Sequence, residues 1–171
     1  MGEMAKQIVK LDVENLVNTL NEAFAEEWLA YYQYWLAAKI AYGLERLKIE
    51  EEFNAHAKEE LRHADWVAER IIQLGGTPLL NPDQWNEKAR CKYITPENFD
   101  VVSLLHDNLE AERCAIKRYE EICAKTDGLD YETFRMSERI LQEEIEHEQE
   151  LEDFLADIED AAKCLKQYCR V

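Results

Sequence analysis

The sequence predicts an all-α fold, a bundle of four long helices, and three observations carry that prediction. The 171 residues include only five glycines and three prolines, in a composition dominated by residues that favour helix over sheet. Apolar residues recur at three- and four-residue spacing through four long stretches. All three prolines fall between Gly75 and about Phe99, a stretch without sustained period that reads as one long connection.

The first helix is expected from about Asp12 to Tyr42, where Leu16, Leu20, Phe24, Tyr31, Tyr34, Trp35 and Ala38 mark an apolar face. "YGLERLKIEEE" supplies a glycine-marked break. A second helix runs from about Lys48 to Leu74 through Phe53, Leu61, Val67 and Ile71 until "GGTP" stops it. In "TPENFDVVSLL", Thr95 offers an N-cap and Pro96 a first helical position, opening a third helix that lasts to about Lys125. "TDGLD" turns the chain into a fourth, from about Tyr131 towards Lys166. Helices of roughly 27 to 35 residues are about 40 to 50 Å long. With short first and last turns and one long crossover between the second and third helices, the arrangement is a ferritin-like four-helix bundle, one domain over residues 1–171.

The formal net charge is −17, from 37 acidic and 20 basic residues. Without a basic arm to offset it, direct DNA binding is not expected. No signal-length apolar segment opens the chain and no apolar run spans a bilayer, which predicts a cytoplasmic protein without membrane contact. Five cysteines without CxxC spacing suit a reducing compartment.

Two Glu-x-x-His pairs stand out, Glu60 with His63 in "EELRHAD" and Glu144 with His147 in "EEIEHEQ". Three-residue spacing puts each pair on one helix face, about 5 to 6 Å apart, able to grip one ion together. Glu27-x-x-Ala30-x-x-x-Tyr34 on the first helix is matched by Glu112-x-x-Ala115-x-x-x-Tyr119 on the third, so each half of the chain repeats a Glu helix followed by a Glu-x-x-His helix. Glu110 and Glu112 both sit near the required level of the third helix, and the repeated spacing favours Glu112. The apolar stripes aim all six residues inward. Four buried carboxylates repel one another and lose hydration unless neutralised. Two divalent cations cancel them, and two neutral imidazoles complete a mixed N/O set suited to iron or manganese, with zinc also accommodated.

The segments "EWLAYYQYWL", "YGLERL", "EELRHADWVAERI" and "ILQEEIEH" resemble the bacterioferritins. That resemblance implies that Glu27, Glu60, His63, Glu112, Glu144 and His147 are ferroxidase ligands, with Glu60 and Glu144 bridging two iron ions. Two departures matter: "HEQELEDFLADIEDAAKCLKQYC" continues the fourth helix without the family's break and fifth helix, and Leu61 stands where the family places its haem-ligating Met, so no haem is expected. "ARCKYITPENF" and "EAERCAIKRYEEIC" resemble the Dps-like proteins called thioferritins. By that resemblance Cys91 and Cys114 are a redox pair, the chain self-assembles into a homo-oligomeric cage of twelve subunits, and hydrogen peroxide is consumed while Fe(II) is oxidised. Cys123, Cys164 and Cys169 are expected to be structural or incidental, and His106 has no supporting pattern.

Tyr34 and Tyr119 lie two turns from Glu27 and Glu112, placed either for core packing or to hydrogen-bond a ligand carboxylate across the bundle. His56, one turn before Glu60, either lines the approach to the site or is a satisfied core histidine. The expected function is an iron-oxidising, iron-storing ferroxidase using peroxide or dioxygen and protecting against oxidative stress. The competing readings are a non-storing dimetal enzyme, a manganese catalase or rubrerythrin-like peroxidase, and a metal-free bundle whose polar core sets helix register.

Overall fold

Local caps and one backbone bridge decide where the helices begin. The computed structural model describes residues 3–168, so Met1 and Cys169 lie outside the described residues. A short α1 (Glu3–Gln7) precedes α2 (Val13–Ile40). The Asp12 carboxylate accepts the Asn15 N–H at 3.1 Å and caps α2. Gly43, at φ 115°, makes the break after α2, and Glu45 enters α3 (Arg46–Gln73) at φ 61° without a side-chain cap. At the other end of α3, a Cβ on Gly76 would lie 2.6 Å from Val17 Cγ1, so the turn there needs glycine to let the chain pass α2.

The crossover carries a 3-10 turn (Pro82–Gln84) and the one-turn α4 (Trp85–Lys88), neither marked by a sustained period. α5 (Val101–Thr126) begins five residues after Pro96, not at Thr95 and Pro96 as the sequence suggests. The Tyr42 N–H donates to Phe99 O and the Val101 N–H donates to Tyr42 O, both at 3.0 Å. This parallel bridge keeps the chain extended through Asp100. Asp100 then caps α5, accepting from the Ser103 N–H at 3.1 Å and its hydroxyl at 2.7 Å. α6 (Tyr131–Tyr168) runs unbroken for 38 residues, about 57 Å at the usual rise. Among the described residues no helix is long and apolar enough to cross a membrane.

α2 packs chiefly on α3 and α5 on α6. The core consists of two apolar clusters. One is built from the C-terminal part of α2 and the N-terminal parts of α3 and α5 with Leu151, around Tyr34, Ile49, Phe53, Leu104 and Leu105. The other takes the opposite ends, around Leu16, Leu20, Val67, Ile71, Ile122 and Ile140. On every long helix the predicted polar residues fall between these clusters.

A buried ion pair fixes the base of the second cluster. Arg70 Nη2 donates to both Asp130 oxygens at 2.8 Å, and its Nε donates to the Thr133 hydroxyl at 2.8 Å. Arg70→Ala leaves a buried carboxylate without its partner and is expected to cost about 3 kcal/mol. Chemical denaturation measures the loss, with divalent-metal stoichiometry unchanged in the folded variant.

Candidate metal centre

The interval between the two apolar clusters holds one carboxylate from α2, one from α5 and a Glu-x-x-His pair from each of α3 and α6. Glu27, Glu60, His63, Glu112, Glu144 and His147 are each at most 2 % exposed, while Glu110 is exposed. Glu27, Glu60, His63 and Glu144 each place a donor atom within 4.8 Å of the others, and so do Glu60, Glu112, Glu144 and His147. Glu60 and Glu144 belong to both quartets. His63 Nδ1 lies 3.1 Å from Glu144 and 3.5 Å from Glu27 and Glu60. His147 Nδ1 lies 3.4 Å from Glu60 and 3.6 Å from Glu112 and Glu144.

The inward atoms lack partners. Glu27 Oε2, Glu60 Oε1, both Glu144 oxygens and Nδ1 of both histidines are buried without a hydrogen bond, a costly arrangement for a closed polar core. The outward atoms are held. His63 Nε2 meets Glu143 and His147 Nε2 meets Glu59, each at 2.8 Å. With neutral imidazoles, that contact places the proton on Nε2 and leaves the Nδ1 lone pair facing inward, as a metal ligand requires. Tyr119 donates to Glu27, and Tyr34 donates to Glu112. Both tyrosines are also packed in the apolar clusters, so they serve packing and hydrogen bonding together. The donor set therefore fits two divalent cations.

Sequence reading missed Glu59, Glu143 and Glu26. The signal was present in the doubled Glu-Glu that begins three of the four motifs, Glu59-Glu60, Glu143-Glu144 and Glu26-Glu27. Arg62 spans the first two, donating to Glu59 at 3.2 Å and to Glu143 at 2.7 Å. Glu26 is buried and receives Arg118 through two bonds of 2.7 and 2.8 Å. It also accepts the backbone N–H groups of Arg90 and Cys91 at 2.7 and 3.2 Å.

Cys91 and Cys114 are joined by a disulfide between the crossover and α5. Cys91 lines a cavity of about 30 Å³ that also touches Glu27, Glu60, Glu112 and Glu144, enough for one water. Cys123 is a half-buried thiol and Cys164 an exposed one, both away from this cavity. His106 is exposed.

Protonation reflects the crowding of charge. Burial pushes the Glu27 carboxyl up to about 8, beyond what His63 and Tyr119 offset. Burial, reinforced by Glu60 and Glu112, raises Glu144 well above the carboxylate range. Burial pushes Glu60 in the same direction, but His147 and His63 outweigh it and keep Glu60 ionised. Burial also disfavours charge on the two histidines, yet the carboxylates around His63 and His147 raise both. Protons thus occupy, in the metal-free centre, the electrostatic place of cations.

Residues 17–161 match the ferritin-like domain family, and the chain belongs to that family. Within it the chain is 37% identical to the DNA protection during starvation protein of Pyrococcus furiosus over 160 residues, 91% of this chain and 86% of that one. It superposes on the dodecameric, bacterioferritin-related thioferritin of Bacteroides fragilis with a TM-score of 0.93 and 48% identity, covering 99% of this chain and 100% of the other. A ferritin-like diiron-carboxylate protein from Bacillus anthracis matches with a TM-score of 0.71 and 29% identity over 84% and 96% of the two chains. The chain is thus a Dps-like, thioferritin-type member with a bacterioferritin-type centre.

Because loading must displace protons from Glu27, Glu144 and both imidazoles, divalent-cation affinity is expected to rise as the pH is raised from 6 and to begin levelling off only near and above pH 8, about which Glu27 titrates. Calorimetric titration with Mn(II) in buffers of different ionisation enthalpy should show net proton release. A pH-independent affinity without proton release contradicts this.

Proposed function

We propose that this protein oxidises Fe(II) at a dimetal centre and stores the product, with Glu27, Glu60, His63, Glu112, Glu144 and His147 as the iron ligands. The carrying observation is the pair of donor quartets that share Glu60 and Glu144 and point unpartnered atoms inward. Glu60 and Glu144 are the bridging carboxylates. Glu27 with His63 completes one iron position, and Glu112 with His147 the other. Manganese or zinc also suits this donor set.

Two Fe(II) ions give up one electron each. One hydrogen peroxide accepts both, its O–O bond breaks, and two protons complete two waters; dioxygen is the alternative oxidant. The chain's part is positioning. Glu59 and Glu143 hold the imidazoles through Nε2, Tyr34 and Tyr119 hold the terminal carboxylates, and the apolar clusters exclude bulk water from both ends. Cys91 and Cys114 are the redox candidates beside the cavity.

The Bacteroides relative is a dodecamer, and likeness along the whole chain supports a homo-oligomeric cage here. Protection against oxidative stress then follows from removing Fe(II) and peroxide together. The net charge of −17 argues against contact with DNA phosphate.

The test is anaerobic Fe(II) loading of the metal-free protein, followed by peroxide or air, with Fe(III) formation and particle mass followed on one sample. Two ions per subunit, rapid oxidation and a large iron-filled particle are expected. A small oligomer that turns over peroxide without storing iron would instead establish the manganese-catalase or rubrerythrin-like alternative. Glu60→Ala and Glu144→Ala should each disturb both ions, whereas Glu27→Ala and Glu112→Ala should each weaken one. Unchanged stoichiometry in Glu60→Ala and Glu144→Ala would restore the metal-free bundle.

A further inference from the structure

A second group of metal-binding side chains lies outside the six-residue centre. Glu52 and His56 are one turn apart on α3, and Glu150 faces them from α6. His56 Nε2 is 2.9 Å from Glu150 and 3.4 Å from Glu52, and the three residues place donor atoms within 4.8 Å of one another. The two carboxylates are partly exposed, with side chains 29 % and 51 % accessible. They border an open hollow of about 190 Å³ whose rim adds Asp153, Asp157 and Lys48. Lys48 is turned over the Phe154 ring at 4.7 Å.

Carboxylates on an acidic surface are common without an ion, so the histidine decides the matter. His56 is 1 % exposed and turns its Nε2 to the two carboxylates, while its other ring nitrogen, Nδ1, is buried without a hydrogen-bond partner. Its ring stacks on His147 with centroids 4.0 Å apart. His56, Glu112 and His147 also place donor atoms within 4.8 Å of one another. Three donor sets therefore overlap in sequence. The outer triad shares His56 with an intermediate triad, which shares Glu112 and His147 with the inner quartet.

We propose that Glu52, His56 and Glu150 form a third divalent-cation site at the outer face of the bundle, from which ions reach the dimetal centre past His56. Two carboxylates cancel the charge of one divalent ion, and a neutral imidazole supplies the third ligand. Water fills the remaining positions, so the ion is held loosely and exchanges readily, unlike ions enclosed by four protein ligands. An acidic hollow at the mouth concentrates cations where the path begins. The feeding role rests on the dimetal reading; the outer site does not.

The test uses the full chain and Mn(II) alone, counting bound ions by electron paramagnetic resonance under anaerobic conditions. The wild-type protein should bind two ions tightly and one more weakly per subunit. The double variant Glu52→Gln, Glu150→Gln should keep the tight pair and lose the weak ion, and Glu144→Ala should lose tight binding and keep the weak ion. A double variant that binds as many ions as wild type overturns the site. If the tight pair persists in Glu144→Ala, the dimetal reading fails while the outer site stands or falls on its own count. For the feeding role, stopped-flow loading of the core with Co(II) should slow about tenfold in the double variant, the lower range of electrostatic focusing. Loss of the weak ion with unchanged core loading would overturn that role.

Discussion

Four carboxylates brought together in the dry middle of a helical bundle form the constraint on which the rest of this structure depends. Each ion carries a desolvation penalty of several kcal/mol unless it is compensated, and the four repel one another. The apolar clusters at either end must therefore be well packed to hold the helices in register around the polar layer, and they are, from Leu16, Leu20 and Ile71 at one end to Ile49, Phe53 and Leu105 at the other. The outer ring of Glu59, Glu143, Tyr34 and Tyr119 settles the groups that face away from the centre and leaves the inward groups for cations.

The crossover contributes more than length. It lies against α2 and α5 and is fastened there by polar side chains that reach out of the bundle. Gln33 accepts the Ile94 N–H at 2.9 Å and donates to Asp107 O at 3.2 Å. Trp85 stacks on Trp28 at 5.0 Å. With Glu26 holding Arg90 and Cys91, this segment walls the small cavity beside the carboxylates. The disulfide adds a covalent tie to α5, closing a loop whose cross-link contributes about 3 kcal/mol in the chain-entropy view.

The long helices and the six-residue cluster were legible because both obey helical periodicity. Glu-x-x-His at three-residue spacing, flanked by Phe53 and Val67 or by Leu141 and Leu151, can aim in only one direction on an amphipathic helix. The same logic separated Glu112 from Glu110. What escaped was set by contacts between distant parts of the chain. Thr95 and Pro96 carry good helix-start chemistry, but Tyr42 pairs with the backbone on either side of Asp100 and moves the start. Glu59 and Glu143 escaped because their role depends on a histidine of another helix. The one-turn α4 has no period to detect, and its place is fixed by Trp85 against Trp28. Whether Tyr34 and Tyr119 pack or hydrogen-bond was undecidable from spacing, since the acceptor lies across the bundle.

The crosswise pairing of tyrosines and carboxylates has a consequence for how such a centre can arise. Tyr34 of the α2–α3 hairpin serves Glu112, and Tyr119 of the α5–α6 hairpin serves Glu27; likewise Glu59 serves His147, and Glu143 serves His63. Each hairpin supplies the supporting groups for the other's ligands. A single hairpin of this pattern, paired with an identical copy about a two-fold axis, would supply every ligand and every supporting group, because the contact is self-complementary. Joining two copies through a crossover makes that symmetry internal to one chain and frees the halves to diverge. His56 shows this divergence, for the matching position in the second half is Ile140, a residue of the apolar core.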